Sequence, residues 1–102
     1  NVAAPLRLRP GDDSSPVVAS EFVTTSITSR GLSENVLSMI RGSNPDLLHA
    51  RSDERGYTLI DVRPEVLRAE FRTTPHPAGT QDRLSVQAAF QVLADRPGPL
   101  PG

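Results

Sequence analysis

Two histidines, two adjacent carboxylate pairs and one run of hydroxyls are the side chains of this sequence with chemical potential. His49 and His76 lie far apart, and neither has a histidine or carboxylate at a helical ligand spacing. Both read as surface imidazoles in polar, loop-like surroundings. Asp12-Asp13 offers hard oxygen donors of the kind that calcium or magnesium takes, but turn chemistry accounts for the pair better. Asp53-Glu54 reads as a plain solvated pair. Thr24, Thr25, Ser26, Thr28 and Ser29 form the densest hydroxyl cluster. Hydroxyls donate to phosphate oxygens, yet no glycine-rich phosphate loop flanks these, and a strand of β-favouring threonines ending in a turn explains the run. Thr25 and Ser26 are the residues through which the chain would line a phosphate site. No serine sits in a G-x-S-x-G elbow. The absence of cysteine removes disulfides, thiolate metal sites and cysteine nucleophiles. No catalytic or metal-ligating residue is assigned.

The elements that would hold these groups must come from a sparse core. The chain has 102 residues, enough for one small domain, with ten prolines, seven glycines and only 4% aromatic residues. A chain this short buries only about 60–70% of its unfolded surface. Part of its apolar surface is therefore expected to serve a partner, most simply the rest of its own polypeptide. The net charge of −1, with no basic patch, gives nucleic-acid binding no support. All eleven basic residues are arginine. No apolar run approaches the ~20 residues of a membrane span, and no signal peptide is recognisable. The opening on Asn1 rather than methionine is expected of a piece cut from a longer chain.

Residues 1–14 read as an irregular lead-in, 15–95 as a β-rich body and 96–102 as a flexible Pro/Gly tail. Val17 to Ile27 is rich in Val, Phe, Thr and Ile and reads as a strand. Ser33 to Arg41 reads as a helix, with Ser33 as N-cap, Glu34 in the positive first turn, and Val36, Leu37 and Ile40 on one face. Gly42 is expected to end it in a left-handed conformation. Gly56 to Arg72 reads as a hairpin. Thr58, Ile60 and Val62 share a face of one arm, Leu67, Ala69 and Phe71 share a face of the other, and Pro64 opens the turn. Leu84 to Leu93 fits two patterns. A strand turns Leu84, Val86, Ala88, Phe90 and Val92 inward, with Ser85, Gln87 and Gln91 outward. A helix aligns Val86, Ala89, Phe90 and Leu93. Periodicity alone does not decide between them.

The order of segments carries a resemblance. Ser15-Pro16-Val17-Val18-Ala19-Ser20-Glu21-Phe22-Val23-Thr24-Thr25-Ser26-Ile27 resembles the P-V-A-T-E-F-V-G-T-S-I strand of PhoD-type (alkaline phosphatase D) enzymes. Asn44-Pro45 followed by Arg55-Gly56-Tyr57 is similar to their N-P and R-G-Y passages. Val62-Arg63-Pro64-Glu65 through Arg68-Ala69-Glu70-Phe71-Arg72 resembles their V-T-P-x-x-W-R-A-D-F-R hairpin. Ala88-Ala89-Phe90-Gln91-Val92 and Arg96-Pro97-Gly98 resemble the closing strand and terminal R-P-G. Thr24 stands where the family often has glycine, and Leu67 where it often has tryptophan.

The resemblance implies a mainly β fold with one short helix (α+β), the C-terminal part of a metallophosphoesterase-type β-sandwich, and a strand at Leu84–Leu93. It implies a secreted or cell-envelope parent that hydrolyses phosphate monoesters or diesters with iron and calcium. The family's ligand motifs lie upstream, the last a G-D-x-H element, so the segment itself is expected to complete the fold without catalysing. The implied partner is the upstream catalytic core. Isolated, the segment is expected either to dimerise through strand edges or an apolar face, or to stay bound to a cleaved N-terminal partner. The alternative is a free-standing β-rich interaction module.

Overall fold

Alternating apolar and polar residues between Glu54 and Leu93 build one antiparallel sheet, and a smaller sheet from the first fifty residues lies across it. The computed structural model describes all residues from Asn1 to Gly102. In chain order it contains β1 (Val2–Arg7), β2 (Val17–Val23), α1 (Glu34–Ser43), β3 (His49–Ala50), β4 (Glu54–Val62), β5 (Val66–Pro75), β6 (Ser85–Leu93) and β7 (Arg96–Pro101). The sheets run β2-β1-β3 and β4-β5-β6-β7, with antiparallel pairing throughout. The architecture is the mainly β, one-helix α+β fold expected. Of the ambiguous stretch Leu84–Leu93, Ser85–Leu93 resolves as a strand.

The hairpin register sets Thr58 opposite Phe71, Ile60 opposite Ala69 and Val62 opposite Leu67, so the apolar rows of both arms share one face. Pro64 and Glu65 are the two residues of its loop, closed by Arg63 N–H donating to the Val66 carbonyl at 2.9 Å. The inner face of β5 and β6 meets the small sheet in a core of Ala3, Phe71 and Phe90, with Phe22 and Ala88 packed against it. Phe22, Phe71 and Phe90 stand with ring centroids 6.3–6.4 Å apart in tilted and edge-to-face arrangements, the geometry that aromatic quadrupoles favour.

Helix α1 begins where its sequence indicates. Ser33 is the N-cap, its hydroxyl accepting from Val36 N–H at 3.3 Å, and Glu34 pairs with Arg41 at 2.6 Å. Leu37 is its one fully buried residue; Val36 is exposed. Gly42 does not cap the helix. It lies inside α1, and Asn44 ends the helix instead, donating from its backbone N–H to Arg41 and from Nδ2 to the Ile40 carbonyl. An asparagine amide satisfies end carbonyls without a left-handed residue.

Three other expectations are corrected. Residues 1–14 are not an irregular lead-in: Val2–Arg7 is the central strand of the small sheet. Residues 96–102 are not a loose tail, because Arg96–Pro101 pairs with β6. Pro97, Pro99 and Pro101 are tolerated because β7 is the last strand of its sheet and needs no outward donor. Gly98 lets β7 approach β2. Its φ is +130°, a Cβ there would stand 3.1 Å from Val17 Cγ1, and its N–H donates to Ser20 Oγ. Finally, β6 is not in one phase. Phe71 faces Ala88 but Arg72 faces Val86, so Gln87 is an extra, bulged residue. The bulge leaves Leu84 and Val86 exposed and Phe90 buried.

Candidate functional site

The polar side chains collect at one end of the sandwich, around Asn1, β3, the start of β4 and the segment after β2. The bulge is the local cause, since it turns the Gln87 amide toward the small sheet. Gln87 Nε2 donates to Glu54 Oε1 at 2.9 Å, and the Thr73 hydroxyl donates to the same oxygen at 3.0 Å. Gln87 Oε1 then accepts from Asn1 Nδ2 at 3.1 Å and lies 2.8 Å from His49 Nε2. Because the amide nitrogen is engaged by Glu54, His49 Nε2 must carry the proton that it gives to Gln87. Asn1 Oδ1 closes the chain by accepting from Thr25 N–H at 2.9 Å.

His49 is therefore not a surface imidazole. It stacks on Phe71 with centroids 5.5 Å apart and planes 20° apart, and stands 6.2 Å from Phe90. Burial lowers its pKa below the ordinary histidine value. The Gln87 bond opposes this, and the Asn1 amino group, Arg51 and Arg41 add to the lowering with their positive charge. Glu54 is likewise no plain solvated residue, since it anchors Thr73 and Gln87. Asp53 does pair with Arg51 at the surface. Asp12 behaves as a turn residue, accepting from the backbone and side chain of Ser14.

A pH dependence follows. With a folded pKa below the unfolded value of about 6.5, the unfolded chain binds the His49 proton first. This contribution is complete above about pH 6.5 and is lost as pH falls through the folded pKa. Asp12, Asp46 and Asp53 are held below the ordinary carboxylate value by hydrogen bonds from Ser14, Arg7 and Arg51, so their contributions fade only in stronger acid. Urea denaturation is expected to give a stability that falls between pH 7 and pH 5, by at most about 1.4 kcal/mol per pH unit per proton. His49→Gln should flatten that interval. An equal slope in the variant would remove His49 as the cause.

Beside this network, Arg55 holds the segment that follows β2. Its guanidinium is buried and forms no ion pair with a carboxylate. Nη1 donates to Ser26 Oγ and to the Ser29 carbonyl, both at 3.0 Å, and Nη2 donates to the Ser52 carbonyl at 2.7 Å. Its Nε–H is buried without a partner. Gly31 is what lets the segment close over the guanidinium. A Cβ there would overlap the Ser52 carbonyl and hydroxyl and stand 2.6 Å from Arg55 Nη2. Thr24 Oγ1 and Thr58 Oγ1, 2.6 Å apart, tie the segment to β4.

The two residues singled out from the sequence thus have different surroundings. The Ser26 hydroxyl is committed, donating to the Ser29 carbonyl and accepting from Arg55. Thr25 is fixed through its backbone N–H, and its hydroxyl takes no part in the network. Asn1, Gln87 and Arg55 were missed by sequence reasoning. The R-G-Y passage pointed at Arg55 without giving it a role, and nothing in the sequence marked the bulge that turns Gln87.

No group of three His, Cys, Asp or Glu side chains is placed to hold an ion, and His49 Nε2 is engaged by Gln87. Iron and calcium, which the resemblance implies, find no ligand set among these residues. No helix is long and apolar enough to cross a membrane, which leaves β-barrels untouched.

No curated protein and no solved structure matches the chain. The family model of the PhoD-like phosphatases matches residues 1–71 of its 102, a stretch that includes the small sheet, α1, the Arg55 cluster and the hairpin as far as Phe71. The chain therefore belongs to the PhoD-like phosphatase family.

Proposed function

We propose that the chain is the C-terminal structural portion of a PhoD-like alkaline phosphatase or phosphodiesterase of the metallophosphoesterase type. Its strands complete the fold of an upstream catalytic core, and its Thr25-Ser26 segment walls the phosphate site. The observation that carries this reading is the segment 24–32 itself. A buried arginine without a carboxylate fixes one hydroxyl-rich loop through hydrogen bonds to Ser26 and Ser29, is itself anchored to the Ser52 carbonyl, and is closed over by the close-approach Gly31. The Thr25 hydroxyl is left free to donate to a phosphate oxygen. The iron and calcium chemistry of such an enzyme belongs to the core, and a secreted or cell-envelope location is part of the same proposal.

The shape supports the structural role. The accessible surface is 6756 Å², against about 5,600 Å² for a compact monomer of this mass. The radius of gyration is 14.6 Å, against about 12.8 Å. The molecule is a slab 17 Å thick, with exposed Leu6, Leu8, Ile27, Leu32, Met39 and Leu84.

Complementation tests the proposal. The catalytic core of a PhoD-like enzyme, truncated before the segment equivalent to this chain, is expected to be inactive on p-nitrophenyl phosphate and on its diester analogue. Supplying this chain in trans, or fused, should restore turnover. The chain alone should give none, even with iron and calcium added. Thr25→Ala in the restored enzyme should raise KM or lower kcat by up to about tenfold, the size of one neutral hydrogen bond. Full activity of the truncated core would overturn the structural role, and an unchanged Thr25→Ala enzyme would overturn the wall.

A further inference from the structure

The strand order leaves one long edge open. In the larger sheet the outer strands are β7 and β4. Prolines at 97, 99 and 101 deprive β7 of donors, and β7 lies against β2, as the Gly98–Ser20 bond shows. Strand β4 has nine residues, no proline, and a partner on one side only.

Two bonds fix which backbone groups on β4 face outward. Gly56 N–H donates outward to the Ser26 carbonyl, whereas Arg63 N–H donates inward to Val66. Backbone groups alternate sides along a strand. The N–H and C=O of Thr58, Ile60 and Val62 therefore point away from β5. At Gly56 the edge is already covered by the segment after β2. Beyond it the Thr58 hydroxyl still meets Thr24, but the outward backbone groups of Thr58, Ile60 and Val62 have no partner, and Ile60 and Val62 are 43% and 71% exposed. An unpaired, apolar edge of this kind is a template for another strand.

We propose that β4 pairs with β4 of a second copy, antiparallel across a two-fold axis at Ile60. The occupant is argued from self-complementarity. The three outward residues are symmetric about Ile60, so each finds an outward partner when Ile60 faces Ile60 and Thr58 faces Val62 of the other copy. The exposed apolar row then meets itself on one face. On the other face Leu59 lies opposite Asp61 and Tyr57 opposite Arg63, so no like charges are opposed. A register centred on Leu59 would instead need Gly56, whose outward N–H is taken by Ser26. The result is a continuous eight-stranded sheet closed by two proline-blocked β7 strands. This edge adjoins the segment that carries Thr25 and Ser26 but does not use the Thr25 hydroxyl, so the inference stands whether or not the wall reading holds.

An edge contact this short falls below the ~1,200 Å² of stable interfaces, so the dimer is a weak one. Sedimentation equilibrium of the chain from about 10 µM to about 1 mM spans that range. Reversible dimerisation is expected. Ile60→Lys should weaken it at least tenfold, as should Ile60→Glu, while mixing the two variants should restore association. Leu84→Lys, on an apolar residue away from the edge, should change nothing. Because the chain lacks cysteine, Ile60→Cys introduces a unique thiol, and it should oxidise to a disulfide dimer, since hydrogen-bonded partners bring their Cα atoms to about 5.5 Å. A monomer at every concentration would overturn the proposal. So would a dimer unaffected by Ile60→Lys, or variants that keep self-association but lose binding to the catalytic core.

Discussion

Phe71→Ala is expected to lower stability by about 3–5 kcal/mol, the range for removing a buried phenyl ring. Phe71 is fully buried on β5, which has a strand on each side. Its ring is the shared contact of Phe22, His49 and Phe90, so one truncation opens a cavity that three other rings line. A domain of this length has about 5–15 kcal/mol to lose, and only 12 of its residues are buried, which places it at the low end. Urea or thermal denaturation should therefore show most of the cooperative transition lost. Should the alanine variant not fold, Phe71→Leu keeps most of the volume and should cost about 1–2 kcal/mol. Val62→Ala, in the same sheet but exposed, should stay within about 0.5 kcal/mol. A loss below about 1 kcal/mol at Phe71 would mean that the aromatic cluster is not the centre of the core.

The parts of this fold that were legible in the sequence are those whose signal is local. Ser33-Glu34 marked the start of the helix because capping uses adjacent residues. Thr58 to Phe71 announced a hairpin because both arms alternate over enough residues for a period to show. The strand at Ser85–Leu93 was equally compatible with a helix by pattern, and family order decided it. What was not legible depends on neighbours distant in the chain. Val2–Arg7 contains Ala3, Ala4 and Pro5, with little β propensity, yet it is the centre of a sheet because β2 and β3 pair on both sides of it. Arg96–Pro101 has the composition of a tail, but a last strand needs donors on one side only.

The same distinction governs the site. Thr25 and Ser26 stood out as hydroxyls, but the difference between them comes from Arg55 and Asn1, 29 and 24 residues away. His49 looked solvated because Leu48 and Ala50 give no periodic signal in a two-residue strand. Its stacking partner lies in β5. A one-residue bulge turned Gln87 inward and left Val86 outside, reversing a phase that period-two counting had extended through the whole strand.

Arg55→Met is the second large effect expected, about 2–4 kcal/mol, and its sign is not obvious in advance. A buried guanidinium with no carboxylate partner carries a desolvation cost, and its orphaned Nε–H adds about 1–3 kcal/mol. Replacing a buried charge with an apolar side chain of similar length is often neutral or stabilising when its partners are removed with it. Here the partners remain. The carbonyls of Ser29 and Ser52 and the hydroxyl of Ser26 would lose donors that are charged and held in a fixed fork, and charge-assisted bonds contribute about 1.5–3 kcal/mol each. Three such losses outweigh one recovered N–H, so destabilisation wins. It should also be localised, since the other long-range hydrogen bonds of residues 24–32 are those of Thr24, Thr25, Ser26 and Leu32. Hydrogen exchange in Arg55→Met should accelerate in that segment well before β5 and β6. Arg55→Lys should recover only part of the loss, because an ammonium cannot reach three acceptors in the planar spread of a guanidinium. If Arg55→Met were as stable as the parent and exchanged evenly, the arginine would be a spectator of the loop rather than what holds it.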